Sequence, residues 1–390
     1  MSEKSVEIKN IILTEEGRNL EFDVIVKSKI HHLYFRSKSN PFTPSTEAYI
    51  IMALLPAMKS GQDIVTEGDV DSRFNNSLKT IQSIFINWLP HQQLRRFSLP
   101  NNIKQIENKT LSDRGLACFS GGLDSFYTLL KNKTQITDLL FIKGFGKDNE
   151  DPKITTKITN HIHSAAMELD KNVIEISTNL RPFLTKFFPS KIIHGAMLAS
   201  IGHLFSGTFS SFFIPTSTTY NDLTPWGSHP LLDPLWSTNF LEVINDGSEA
   251  DRIQKLRMVS EFEFVLNNLR VCNNKSDLWL NCGECEKCIR TMAGLLAIDK
   301  LDNCKTFNNK LSTESIRRLH SGNVLSSSVA SFYPNILYEL EKNEANYDLC
   351  YEISQIVYNR NLSEKLRDSL KNYLRRYKYR FPKIYKLFRE

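Results

Sequence analysis

Two stretches of this 390-residue chain combine residue types and spacings that can do chemistry. The first is Ser120-Gly121-Gly122-Leu123-Asp124-Ser125, which follows a short apolar strand pattern and precedes a helical one. Paired glycines adopt backbone angles closed to other residues and let an anion approach the main chain. A helix start just beyond them offers N–H groups at the positive end of its dipole. Ser120 and Ser125 add hydroxyl donors, and Asp124 can cap the helix or hold Mg²⁺. The combination suits a pyrophosphate group. The ordinary alternative, a strand-to-helix turn with a capping Asp, needs one glycine and not a pair flanked by serines. No Gly-x4-Gly-Lys-Ser/Thr loop occurs, and the Gly144–Lys147 fragment reads as a common loop.

The second stretch is a cysteine set: Cys272, nine residues, Cys282, two residues, Cys285, two residues, Cys288. Three thiols fall within two tight turns, and Gly283 eases the first. Four thiolates at this spacing can close a tetrahedron around Zn²⁺ and leave no position for water, which makes the site structural. Lys287 and Arg290 would offset the thiolate charge. An iron–sulfur cluster is the second reading, although ferredoxin runs place their fourth Cys further downstream, before Pro. Cys118, Cys304 and Cys350 read as core or incidental residues.

The loop at 120–125 resembles the PP-loop of the N-type ATP pyrophosphatases. The Cys282-Gly283-Glu284-Cys285-Glu286-Lys287-Cys288-Ile289-Arg290 run narrows the likeness to the 7-cyano-7-deazaguanine synthase-like members. The resemblance covers about 115 to 298 and implies an adenine nucleotide α-hydrolase-like fold. It also implies ATP cleavage between the α- and β-phosphates through an adenylated substrate, and structural zinc on the four cysteines. The segment 214–233 lacks the cysteine that those synthases carry at the nucleobase pocket; only His229, Pro230 and Asp233 echo it. The activation chemistry therefore carries over better than the substrate does, and the chain reads as a paralogue with added N- and C-terminal regions.

The elements that must position these residues are legible as patterns. Residues 5–13, 20–27 and 31–36 read as strands, and 46–58 and 75–89 as helices, the second with Leu78, Ile81, Ile84, Phe85 and Trp88 at helical spacing. From about 112, strands at 115–119, 138–143, 172–177 and 210–215 alternate with helices beginning at 126, 155 and 191. That rhythm argues for an α/β fold with a parallel sheet and helices on both faces. The expected division is a small N-terminal α+β domain over 1–108, the loop- and cysteine-bearing domain over 109–310, and a helical C-terminal extension over 311–390.

Composition bounds the rest. With 41% hydrophobic and 24% charged residues the chain reads as a soluble globular protein. It has no run of about 18 apolar residues and no apolar stretch near residue 1, so neither a membrane span nor a secretory signal is expected, and a cytoplasmic location is. Thiols there stay reduced. The net charge is +6, but Lys371 to Glu390 holds eight basic residues against one acidic, a local +7 that leaves 1–370 at −1. Tyr373, Tyr377, Tyr379, Phe381, Tyr385 and Phe388 interleave with those basic residues, a pattern that can bind nucleic acid or simply solvate a terminus.

Among weaker candidates, His194 and His203 read as core histidines. Arg252 and Lys255 sit where a helix start could neutralise phosphate; a solvated helix face is the bland reading. Trp226–Asp233 is the expected substrate lip. The expected activity is an ATP-dependent ligase or synthase. A carboxylate or amide-type oxygen attacks ATP, pyrophosphate leaves, and ammonia or a sulfur donor displaces AMP. Asp124, Ser125 and Lys255 are the expected catalytic residues, Ser120 to Ser125 the nucleotide contacts, and ATP, Mg²⁺ and Zn²⁺ the cofactors. Expected partners are a small-molecule substrate and, as open alternatives, a nucleic acid or a second copy in a homodimer. A tRNA-modifying enzyme and a zinc-stabilised scaffold without activity are the rival functions.

Overall fold

The chain opens with an antiparallel meander of β1 (Ser5–Thr14), β2 (Asn19–Val26) and β3 (Lys29–Ser37). The computed structural model describes residues 4–99, 103–104, 112–143, 152–272, 280–307, 311–322, 325, 327–343 and 346–358. The Gly144–Lys147 fragment and the basic tail lie outside the described residues. After the meander comes α1 (Thr46–Ser60), whose first turn is capped by the Ser45 hydroxyl accepting the Ala48 N–H and whose end is Gly61 in the left-handed region. Two short strands, β4 (Asp63–Val65) and β5 (Val70–Asp71), lead into α2 (Ser72–Trp88). There Asp71 caps the helix, and Phe74, Leu78, Ile81 and Phe85 bury one stripe. A last short strand of this region, β6 (Ile103–Lys104), pairs with β5.

The alternating part follows: β7 (Gly115–Cys118), α3 (Leu123–Lys131), β8 (Ile136–Lys143), α4 (Pro152–Met167), β9 (Asn172–Thr178), α5 (Leu180–Leu184), α6 (Ser190–His203), β10 (Ser211–Pro215) and β11 (Glu242–Asp246). Beyond them lie α7 (Arg252–Ser260), α8 (Glu263–Asn268) and α9 (Glu286–Ala297). β5 and β6 form a separate pair, and the other nine strands form one mostly parallel sheet in the order β11-β10-β7-β8-β9-β3-β2-β1-β4. Successive residues alternate between its faces. Leu116, Leu140, Phe212 and Ile214 join one apolar core with α1, α2, α5 and α6. Ala117, Leu139 and Phe213 join the other, with α3, α4, α7 and α8. Helices therefore flank both faces, as the alternation of strands and helices implied.

Among the five parallel strands the chain runs β7, β8, β9 to one side, then crosses to β10 and β11 on the other. The order reverses between β7 and β10, and open α/β sheets bind ligands in the crevice outside the carboxyl ends at such a reversal. The sequence pattern marks residues 1–108, meander and helices together, as a small α+β domain of their own. Instead, the same sheet runs through that boundary, because β3 pairs antiparallel with β9 along Phe35–Thr178, Arg36–Ser177 and Ser37–Ile176. The added strands pair an edge of the parallel array that would otherwise be open. Met1–Lys310 forms one unit and Leu311–Glu390 a second. The second is built, among the described residues, from α10 (Thr313–Gly322), α11 (Ser327–Ala330), α12 (Tyr333–Leu340) and α13 (Tyr347–Tyr358). It buries Ile316, Tyr333, Ile336, Leu340 and Ile353, and Arg317 pairs with Glu352 at 2.7 Å. No helix among the described residues is long and apolar enough to cross a membrane.

Candidate active site and metal centre

At the carboxyl end of β7 the chain turns through Ser120 and the two glycines into α3. Gly121 has φ +73°, in the left-handed region that favours glycine. A Cβ there would meet its nearest neighbours, Arg270 Cβ and Ile162 Cδ1, only at 3.6 Å, so conformation and not space calls for glycine. Gly122 occupies the N-cap of α3, and no side chain caps that helix, as is also true of α5, α6, α8 and α9, whereas Ser45, Asp71 and Asp251 cap α1, α2 and α7. The amide donors of the first turn of α3 and its positive dipole end thus face the loop.

Each expected loop residue has a definite place. Ser120 is exposed and lines a cavity of about 410 Å³. Leu123 buries its side chain in the core beneath, so only its backbone is offered to a ligand. Ser125 lines the cavity, yet its hydroxyl donates to the Gly122 carbonyl at 2.9 Å, so it braces the loop. Asp124 also lines the cavity and receives Lys255 Nζ at 3.0 Å.

Lys255 is 1% exposed. The capping box of Asp251 and Gln254 starts α7 and places Lys255 one turn in. Its ammonium also donates to the Thr216 carbonyl at 2.5 Å and lies 5.5 Å from the Tyr127 ring centroid. Gly247, at φ +104°, would place a Cβ 3.1 Å from that nitrogen, closer than nearly all real contacts. Burial by itself raises the Asp124 pKa, but Lys255, Arg252 and Arg290 outweigh it and hold the carboxyl below its ordinary range. Lys255 therefore serves Asp124. The cations lining the cavity are Arg252, Arg270, Lys287 and Arg290.

Arg270 and His194 carry no sequence signal comparable to the loop. Arg270 donates its backbone N–H to the Gly121 carbonyl at 2.7 Å while its side chain lines the cavity. His194, read as core, also lines it. Burial, then Arg181 and Lys287, pull its pKa down to about 4, so the ring is neutral at pH 7. His203 is a core residue, with Nε2 2.7 Å from the Trp236 carbonyl oxygen. The Trp226–Asp233 stretch contributes none of the lining residues. Gly227 N–H donates to the Lys191 carbonyl at 2.7 Å, and a Cβ on Gly195 would come within 2.0 Å of the Gly227 oxygen. His229 packs against Trp88, with ring centroids 5.0 Å apart and the planes tilted by 59°. Asp233, fully buried, accepts from Ser228 and Asn245 at 2.7 Å, and burial raises its pKa to about 6. That stretch is a packed strap over α6, not a lip.

The four cysteines converge. Sγ atoms of Cys272 and Cys285 lie 3.8 Å apart, those of Cys282 and Cys288 3.9 Å, and those of Cys285 and Cys288 3.5 Å. All four fall within 4.8 Å of one another. Zinc–sulfur bonds of about 2.3 Å in a tetrahedron put sulfurs about 3.8 Å apart. The set therefore fits one tetrahedral ion and can bind zinc. An iron–sulfur cluster interposes several atoms between its thiolates and would spread them further. Gly283, at φ +73°, turns the chain so that the Cys285 N–H reaches Cys282 Sγ at 3.3 Å, and Cys285 starts α9. Cys272 lines the same cavity as the loop.

Comparisons with protein-family models, with curated proteins and with solved structures return no match.

Proposed function

We propose that the chain is a PP-loop enzyme that binds ATP, adenylates a small-molecule carboxylate or amide-type oxygen and releases pyrophosphate. One observation carries the reading. The Ser120–Ser125 loop lies at the carboxyl end of β7, where the strand order reverses, with Gly121 left-handed and the start of α3 uncapped. The uncapped start leaves the first-turn amides of α3 open to an anion beside the left-handed Gly121.

In this reading the polyphosphate lies along the loop amides, and Arg252 and Arg270, which line the same cavity, balance its charge. The substrate oxygen attacks the α-phosphorus. A new O–P bond forms, the bond to the β-phosphate bridge oxygen breaks, and pyrophosphate leaves with the charge those donors are arranged to meet. Ammonia or a sulfur donor then displaces AMP. Asp124, kept ionised by Lys255, would hold Mg²⁺, which when bound neutralises phosphate oxygens. Arg252 and Arg270 orient the phosphates, and Ser125 keeps the turn rigid. The four thiolates would hold zinc as a fold-stabilising ion with no position for substrate.

The test is product identity. Purified protein given ATP, Mg²⁺ and a fractionated metabolite pool forms AMP and pyrophosphate, and Asp124→Ala abolishes both. ADP and phosphate as the sole products would falsify α–β cleavage.

A further inference from the structure

One buried amide joins the cysteine cluster to the phosphate loop. Asn281, 1% exposed and immediately before Cys282, satisfies both ends of its side chain. Its Oδ1 accepts the N–H groups of Val271 at 2.8 Å and Cys272 at 3.1 Å. Its Nδ2 donates to the Leu269 carbonyl at 2.8 Å and to Thr306 Oγ1 at 3.0 Å. The main chain from Leu269 to Cys272 is thereby gripped on both sides of Arg270. Arg270 in turn donates its N–H to the Gly121 carbonyl. Gly121 has the left-handed backbone on which the loop turns, and the nearest contacts around both loop glycines include Arg270.

We propose that Asn281 is a positioning residue for the phosphate loop. Its side-chain amide fixes the 269–272 backbone so that the Arg270 N–H holds the Gly121 carbonyl in place. The loop's readiness for a phosphate then depends on a residue that touches neither the ligand nor the metal. The physical reason is the cost of alternatives. With Asn281 truncated, two N–H groups and a carbonyl lose a buried partner, and the segment can recover them only by moving. Movement of Arg270 frees the Gly121 carbonyl, and a glycine pair without that restraint samples many backbone states. A loop ordered in advance costs less entropy when the phosphates bind.

For nucleotide binding the inference rests on the ATP reading, so the test carries one readout that needs no nucleotide. Full-length wild type, Asn281→Ala, Asn281→Asp and Thr306→Val are compared by hydrogen exchange of the peptide covering 119–126, by zinc per chain, by melting temperature and by ATP affinity. Loss of one such restraint is expected to speed loop exchange and weaken ATP binding about tenfold each in Asn281→Ala, with zinc retained. Asn281→Asp keeps the acceptor for Val271 and Cys272 but sets a carboxylate oxygen where the amide nitrogen donated to the Leu269 carbonyl, so its loop exchange is expected to rise about threefold to tenfold with zinc retained. Thr306→Val lowers the melting temperature without moving either loop readout, which separates positioning from general destabilisation. If Asn281→Ala does not fold, Asn281→Asp and Thr306→Val decide, since an unmoved loop in a folded, zinc-loaded Asn281→Asp, or a tenfold faster loop in Thr306→Val, overturns the proposal. Unchanged loop exchange in a folded, zinc-loaded Asn281→Ala also overturns it. Faster exchange in that variant together with no ATP binding by wild type would sink the ATP reading and leave the positioning role standing.

Discussion

Lys255 Nζ meets Asp124 Oδ1 at 3.0 Å, joining the second turn of α7 to the first turn of α3. The lysine is 2% exposed at its side chain and the aspartate 28%, so one partner is withdrawn from water and the other faces the cavity. A buried ammonium is tolerated when paired and hydrogen-bonded, and the Thr216 carbonyl supplies the second bond. The pair delivers an ionised carboxylate at a fixed place beside the loop.

Replacing Lys255 with Met keeps most of the volume and removes the charge. The folded protein is then expected to lose about 2 kcal/mol, less than the 3–5 kcal/mol of a fully buried broken pair because water screens Asp124. Turnover is expected to fall roughly 100-fold, the scale of one lost electrostatic group in an active site. The double variant Asp124→Asn with Lys255→Met should regain stability without regaining turnover. Chemical denaturation and pyrophosphate release measure the two effects. A single variant as stable as wild type would show that the pair does not hold the loop.

How much of this was legible in the sequence follows from how local each signal is. The loop and the cysteines are short motifs whose chemistry depends on neighbours a few residues away, and the loop and Cys272 line the cavity. The strands of the parallel core carry apolar runs and were legible to within a few residues. β11 was not: Glu242 to Asp246 buries Val243 between polar ends, and an edge strand gives no continuous apolar run. The union of the meander with the core was hidden because it depends on three residue pairs across β3 and β9. Arg270 was hidden for a similar reason, since its role is set by a bond to the distant Gly121. Ser125 shows the limit of a motif: its type invites a phosphate contact, while its hydroxyl braces the turn.

One zinc per chain is expected by elemental analysis, with colourless protein. Cys285→Ser removes a sulfur that lies 3.5 Å from Cys288 and 3.8 Å from Cys272, and should abolish tight metal binding and lower the melting temperature. Because the site is closed, metal loss should act through folding and through the adjoining loop and not through a Lewis-acid step. Iron with visible absorbance, or a metal-free protein of undiminished stability, would contradict this.

Glu175 offers a pH test independent of the site. It is 5% exposed at its side chain and binds Lys38 at 2.8 Å, Lys143 at 2.5 Å and His163 at 2.7 Å. Burial pushes its pKa up, but the bonds from Lys143, Lys38 and His163 win and hold it at about 2. A depressed carboxylate stabilises the fold above its unfolded pKa of about 4.3, and that contribution drains away as pH falls toward the folded value. Glu175→Gln is therefore expected to be less stable by about 1–2 kcal/mol at neutral pH, reduced from the full linkage value because Lys38 is solvent-exposed. The gap between variant and wild type should hold from pH 7 to about pH 5 and narrow below about pH 4. A gap that is flat across the whole range would remove Glu175 as the cause.

The substrate is expected to be a small molecule and not tRNA. Phosphate contacts supply most of the affinity in nucleic-acid binding, so a tRNA enzyme spreads positive charge around its cleft. Here residues 1–370 sum to −1, and the surplus belongs to Lys371 through Arg389. Arg252, Arg270, Lys287 and Arg290 do gather, but they line a cavity of about 410 Å³. That volume lies in the range of small-ligand pockets of about 300–1,000 Å³ and gives no track for a polynucleotide. Part of their charge also answers the four thiolates, since Cys272 lines the same cavity. Deleting residues 372–390 should therefore leave turnover of the correct metabolite nearly intact. Any nucleic-acid binding by the full chain should be weak and should fall steeply with salt. Sub-micromolar tRNA binding at physiological salt, lost together with activity on that deletion, would reverse the assignment and make the tail part of the substrate site.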